Sequence, residues 1–248
     1  MRDCIIIIPT YNEKENIAKI IPYTLNLSDR FEVLVIEDGS PDGTADVVKG
    51  LMQQFPERVH IIERTGKQGL GTAYITGFKW SLEKNYSYIF EMDADFSHPP
   101  EKLLELLDAC ENKGAYLAVG SRYIKGGSVV NWPKDRLFLS YFASKYVRIV
   151  TGMRVKDTTA GFVCYRKETL QTIQLEKIKF LGYAFQIEMK FAVWLSSLKI
   201  IEVPIVFKDR EVGVSKMSGS IIKEAVLGVL SMKMQSLKDK YFLNRKQK

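Results

Sequence analysis

The stretch Ile89-Phe90-Glu91-Met92-Asp93-Ala94-Asp95-Phe96-Ser97-His98-Pro99-Pro100 decides how the chain reads. An apolar run, YSYIFEM from Tyr86 to Met92, has the composition of a buried strand and ends in two aspartates spaced i, i+2. Two prolines then stop it. Residues two apart on a strand share a face, and two carboxylates side by side repel unless a positive partner neutralises them. The strand therefore delivers an acidic pair to its carboxyl end, where it calls for a cation.

The same rhythm extends outward. Short runs rich in Val, Ile, Tyr and Phe recur at residues 4–8, 32–36, 59–62, 87–92 and 116–119, with helical patterns at about 14–27, 42–55, 70–84 and 100–113 between them. Apolar strands alternating with helices predict a mostly parallel α/β sheet covered on both faces. After Gly120 a Gly-bearing loop leads to an apolar helix (RLFLSYFASKYVRIV), a loop (KDTTAGF), a helix near 183–197, a strand (KIIEVPIVF) and a last apolar helix from about 218 to 237. This second half reads as a lobe that completes a site. We expect a part at 1–120, a second at 121–217, and an apolar helix with a basic tail at 218–248.

Ligands of open parallel sheets gather at the carboxyl ends of the strands. Those ends carry Thr10-Tyr11-Asn12-Glu13, Glu37-Asp38-Gly39-Ser40 and Glu91-Met92-Asp93-Ala94-Asp95, so three strands bring carboxylates to one edge. Hard oxygen ligands suit Mg²⁺ or Mn²⁺, which take one or two carboxylates plus substrate phosphates. A calcium loop starting at Asp38 fails, because its twelfth position is Lys49 rather than a glutamate. The glycines of Gly66-Lys67-Gln68-Gly69-Leu70-Gly71 have the wrong spacing for a dinucleotide fold and follow the third strand. They read as a tight turn opening a helix. A paired-carboxylate glycosidase stays open. His60 and His98 show no ligand spacing and read as structural.

The chain has 248 residues, 46% hydrophobic and 26% charged, which excludes wholesale disorder. Its charge-free stretches fall far below the ~20 residues that span a bilayer, and no signal-peptide pattern precedes the first strand. Three widely spaced cysteines, Cys4, Cys110 and Cys164, make no disulfide framework or zinc pattern and suit a reducing cytosol. The net charge of +7 is concentrated in residues 122–154 and 232–248, where basic side chains meet only Asp135 and Asp239. Basic segments beside apolar helices point to an anionic membrane surface and not to nucleic acid, for which an exposed aromatic platform would be needed.

Seven motifs in order, PTYNE (9–13), EDGSPDGT (37–44), GLGTAY (69–74), MDADFSHPP (92–100), GSRYIKGG (120–127), DTTAGF (157–162) and FKDREVGVSK (207–216), resemble the family-2 glycosyltransferases. Within them the chain looks most like dolichyl-phosphate mannose synthases and related polyprenyl-phosphate glycosyltransferases. The resemblance implies a GT-A fold with a C-terminal acceptor and membrane-contact lobe, a Mg²⁺ or Mn²⁺ ion, and inverting transfer of mannose from GDP-mannose to a polyprenyl phosphate. Relatives that use UDP- or GDP-glucose, or a polysaccharide acceptor, are the alternatives, and a non-catalytic sugar-nucleotide-binding subunit is another. Carried over by position, Pro9, Tyr11, Glu13, Ile36 and Asp38 line the nucleoside pocket. Asp93, Ala94 and Asp95 hold metal and diphosphate, with Asp95 the direct ligand. Arg122, Arg210 and Lys216 bind phosphate, with Asp95, Arg122 and Arg210 closest to the chemistry. Arg136 and Ser140 meet the acceptor phosphate, and Ser97 departs from members with glutamine there. The resemblance places the chain on the cytoplasmic face of a membrane, bound peripherally or through a small membrane subunit.

Overall fold

A computed structural model describes residues 2–182, 184–209 and 219–236, with side chains in the last segment described from Leu227 onward. The first half alternates as its pattern predicts: β1 (Cys4–Thr10), α1 (Lys14–Leu27), β2 (Phe31–Glu37), α2 (Thr44–Gln54), β3 (Val59–Glu63), α3 (Leu70–Glu83) and β4 (Tyr88–Glu91). A 3-10 turn at Pro100–Lys102 then opens α4 (Leu103–Glu111), followed by β5 (Leu117–Ser121). Beyond it come β6 (Ser128–Val130), α5 (Lys134–Thr151), β7 (Val163–Arg166), α6 (Lys167–Thr172), α7 (Ala184–Leu195), β8 (Ile200–Pro204), β9 (Val206–Lys208) and α8 (Gly219–Ser236).

Among the described residues, seven strands form one sheet in the order β3-β2-β1-β4-β7-β5-β8. Strand β1 shows why the sheet is covered twice. Its isoleucines are fully buried and alternate between two cores. Ile5 and Ile7 pack with Tyr74 and Phe78 of α3 and Phe185 of α7, whereas Ile6 and Ile8 pack with Ile17 of α1, Val48 of α2 and Leu106 of α4. Helix α3 lies so close to β1 that a Cβ on Gly77 would stand 2.8 Å from the Ile7 methyls.

The second half departs from the sequence reading: β6 lies inside the segment read as a Gly-bearing loop, α6 was not anticipated, and two further differences shape the sheet. Strand β7 was not anticipated; it lies between β4 and β5 and runs antiparallel to both. The segment KIIEVPIVF, read as one strand, is two. Pro204 has no N–H to continue a ladder, so β8 ends there on β5. Ile205 then bridges the sheets, donating its N–H to Ser121 O at 3.0 Å and accepting from Ser128 N–H at 3.0 Å. Strand β9 goes on to pair with β6 in a separate parallel ribbon.

Candidate active site

Because β1, β2 and β4 are parallel, their carboxyl ends meet at one edge. The loops leaving that edge are laced by short polar side chains. Ser40 Oγ accepts the Asn12 N–H at 3.0 Å, Thr44 Oγ1 that of Glu13 at 3.1 Å, and Asp42 that of Lys14 at 3.2 Å. Glu37 turns its carboxylate back onto the N–H groups of Gly39 and Ser40. Asp38 is clasped by Arg64 through two hydrogen bonds of 2.6 and 2.8 Å, and Arg64 also donates to Thr72. Lys67 sits 3.6 Å over the Tyr11 ring. Pro9 is half-buried and Ile36 fully buried at these strand ends.

The acidic pair stands on a tight loop. Phe96 adopts a left-handed φ of 59°, Asp95 Oδ1 accepts the Ser97 N–H, and His98 Nδ1 accepts the Asp93 N–H at 3.0 Å. The imidazole is buried, stacked on Phe162 and edge-on to Phe207. Burial keeps it neutral against the pull of Asp93 and Asp95. His98 is therefore structural, but as an internal brace of the acidic loop. Asp93 and Asp95 are both partly exposed and Ala94 is buried beneath them.

Asp93 and Asp95 open onto a cavity of about 360 Å³. Its polar end adds Arg122, Arg136, Ser140, Thr159, Gln186 and Asp209. Its other walls are Leu70 and Tyr74 at α3, Leu139, Phe142, Tyr146 and Val147 on α5, Ile187 on α7 and Val229 on α8. The structure thus brings Asp93, Asp95, Arg122, Arg136 and Ser140 together, while Pro9, Tyr11, Glu13, Ile36 and Asp38 lie outside this lining, along the edge formed by β1 and β2. Arg210 and Lys216 fall outside the described residues.

The cations are engaged. Arg122 donates to Asp157 from Nε and Nη2, both at 2.7 Å, and from its backbone N–H at 2.9 Å. Its Nη2 also reaches Thr159, leaving Nη1 without a hydrogen bond among the described residues. The rings of Tyr123, Trp132 and Phe207 surround the guanidinium. Burial raises the Asp157 carboxyl, but Arg122 outweighs it and holds the group below the usual carboxylate range. Arg136 meets Asp209 at 3.0 Å and lies 4.0 Å over the Trp132 ring. Ser140 shares a 2.7 Å hydrogen bond with Tyr123.

Beneath the floor, Gln186 donates to Glu91, and Lys190 donates to Gln186 Oε1 at 3.3 Å and to Ala160 O at 2.6 Å. Burial pushes Glu91 up to about 7 and Lys190 down to about 8. Lys190 thereby ties α7 to the loop that carries Asp157 and Thr159. Sequence reasoning missed Arg64, Trp132, Asp157, Gln186, Lys190 and Asp209 as members of this edge. Asp157 and Asp209 stand inside quoted motifs, and that was their signal.

Among the described residues no group of three or more His, Cys, Asp or Glu side chains could hold a metal by itself. Two carboxylates at a cavity mouth instead fit an ion that takes its remaining ligands from a diphosphate and water.

A mostly parallel sheet with helices on both faces and an acidic pair at its carboxyl edge is the architecture of a GT-A glycosyltransferase. The chain belongs to glycosyl transferase family 2, whose pattern matches residues 5–174. It is similar to the polyprenol monophosphomannose synthase of Mycolicibacterium smegmatis, 48% identical over 91% of this chain and 84% of that protein. It is also similar to the undecaprenyl-phosphate mannosyltransferase of Micrococcus luteus, 46% identical over 90% of both. Its fold matches the crystal structure of glucosyl-3-phosphoglycerate synthase from Mycobacterium tuberculosis, with a TM-score of 0.70 at 15% identity over 94% of this chain and 80% of that one. The chain is a glycosyltransferase.

Proposed function

We propose that the protein transfers mannose from GDP-mannose to a polyprenyl phosphate, inverting the anomeric carbon. The cavity carries this reading: one continuous space joins Asp93 and Asp95 to apolar walls from α3, α5, α7 and α8, the shape required where a sugar diphosphate must meet a lipid phosphate. The identity to two mannosyltransferases over nine-tenths of the chain supports the sugar and the acceptor class.

The nucleoside is assigned to Pro9, Tyr11, Glu13, Ile36 and Asp38, and the diphosphate to the loop Asp93-Ala94-Asp95. Asp95 and Asp93 would hold Mg²⁺ or Mn²⁺, which when bound stabilises charge on the departing diphosphate. The acceptor is already an oxyanion near neutral pH, since the second pKa of a phosphate monoester is about 6. No general base is then needed, and His98 is committed to the Asp93 N–H. What remains is screening and aim. Arg122 faces the cavity with its charge balanced by Asp157, and Arg210 and Lys216 are assigned to the donor phosphates from sequence. Arg136 and Ser140, one helical turn apart on α5, are assigned to the acceptor phosphate.

Residues 1–120 are assigned to the donor, 121–217 to the acceptor and 218–248 to membrane contact. No helix among the described residues is long and apolar enough to cross a membrane. Phe138, Phe142 and Ile149 on α5 and Leu227, Leu230 and Met234 on α8 are exposed, which suits peripheral contact with a membrane's cytoplasmic face.

The test is transfer of labelled sugar from GDP-mannose, with UDP-glucose in parallel, to a short polyprenyl phosphate in detergent with Mg²⁺ or Mn²⁺. Lipid-linked mannose supports the proposal, product from UDP-glucose alone corrects the sugar, and transfer only to water-soluble acceptors refutes the acceptor. Asp95→Ala should abolish transfer and metal-dependent nucleotide binding; unchanged turnover would sink the metal assignment.

A further inference from the structure

Resting on that assignment of the acceptor phosphate to Arg136, we propose that the Trp132 indole N–H is a second donor to the same phosphate, and that Asp209 is the counter-ion the phosphate displaces.

Three observations carry this. First, Trp132 Nε1 and Arg136 Nε are both buried from solvent without a hydrogen-bond partner among the described residues. Buried donors are nearly always paired, and two orphans on side chains in face-to-face contact call for one shared acceptor. Second, both side chains line the cavity, so an acceptor that enters it and displaces Asp209 from Arg136 comes within reach of both donors. Third, the geometry is held before anything binds. Trp132 is edge-on to Phe207 at 5.3 Å and carries the Arg136 guanidinium 4.0 Å above its ring.

Asp209 answers only half of this demand. Its carboxylate takes Arg136 Nη1 at 3.0 and 3.2 Å on its two oxygens, which balances the charge but leaves both orphan N–H groups unmet. A phosphate monoester brings up to two negative charges and three strong acceptor oxygens. It can replace the carboxylate on Arg136 and accept from Nε and from the indole together. The cost of leaving two donors unmet in the empty protein is recovered on binding, which makes it a source of preference for a tetrahedral dianion over a planar carboxylate.

Trp132→Phe separates binding from most of the packing, because an aromatic ring under Arg136 and against Phe207 is kept while the N–H is lost. We expect the acceptor KM to rise about tenfold, with the KM for the sugar nucleotide moving less than twofold. The melting temperature should fall by no more than a few degrees, from the lost ring volume alone, since no hydrogen bond is lost from the empty protein. Calorimetric titration with inorganic phosphate should show the same weakening, whether or not the lipid is the true acceptor. Asp209→Asn should tighten inorganic phosphate, because its competitor is gone. An unchanged acceptor KM and unchanged phosphate affinity in Trp132→Phe, or a lowered melting temperature alone, would return the indole to a packing role. Weaker phosphate binding in Asp209→Asn would overturn the displacement. Weakened phosphate binding in Trp132→Phe, from a protein that transfers nothing to any polyprenyl phosphate, would keep the subsite and refute the lipid.

Discussion

Asp157→Ala isolates one buried ion pair and should be severe. Asp157 is fully inaccessible and the Arg122 side chain is 8% exposed, so water compensates little for the loss of their pairing. The substitution removes three hydrogen bonds to Arg122 and leaves a guanidinium uncompensated among aromatic rings. Breaking a buried pair from one side costs about 3–5 kcal/mol. At about 2–4 °C per kcal/mol for a chain of this size, the melting temperature should fall by about 6–20 °C. The acid limb should change as well. The folded Asp157 carboxyl lies below its ordinary value of 3.8, so its contribution is present above that pH and lost as pH falls through the folded value. Asp157→Ala should flatten this loss. The assay is thermal and denaturant unfolding at neutral pH and from about pH 4 downward, with Asp157→Leu/Arg122→Met as control, where removing both charges should recover much of the stability. A fall under 2 °C, or a double variant worse than the single, would refute the reasoning.

The Glu91–Gln186–Lys190 chain predicts strong coupling: Glu91→Gln/Lys190→Met should be less destabilised than the two single changes summed, measured by a double-mutant cycle. Because burial raises Glu91 from 4.5 to about 7, the protein should lose stability as pH climbs through that window, and Glu91→Gln should remove the slope. Gly77→Ala should cost about 1–3 kcal/mol by overpacking against Ile7, read as a lower denaturation midpoint. Phe138→Ser with Ile149→Ser, at side chains 62% and 74% exposed, should weaken sedimentation with anionic vesicles at least tenfold and leave the melting temperature within about 2 °C, since neither residue is in the core.

Much of the carboxyl edge of β1, β2 and β4 was legible because it is local in sequence. Each strand of the first half carries its own apolar run, β1, β2 and β4 deliver their carboxylates within a few residues of their ends, and the order of motifs supplied the family. What escaped was non-local. Strand β7 is four residues long and shows no alternation, and its place is set by partners far away in the chain. Arg122 meets Asp157, and Arg64 meets Asp38, across separations of 35 and 26 residues that no periodicity encodes. Trp132 shows its peculiarity only as an atom without a partner. The break at Ile205 was in principle readable from Pro204, since a proline ends a ladder that its neighbours would continue.

Strand β7 also bears on how the protein is made. It fills the slot between β4 and β5, yet leaves the ribosome well after both. Until it arrives, β4 has one unpaired edge and β5, whose other neighbour β8 comes later still, has two. Such edges accept any passing strand, including one from a neighbouring chain on the same messenger. A ribosome that stalls between β5 and β7 therefore releases a protein with a hole inside its sheet as well as one strand missing at the end.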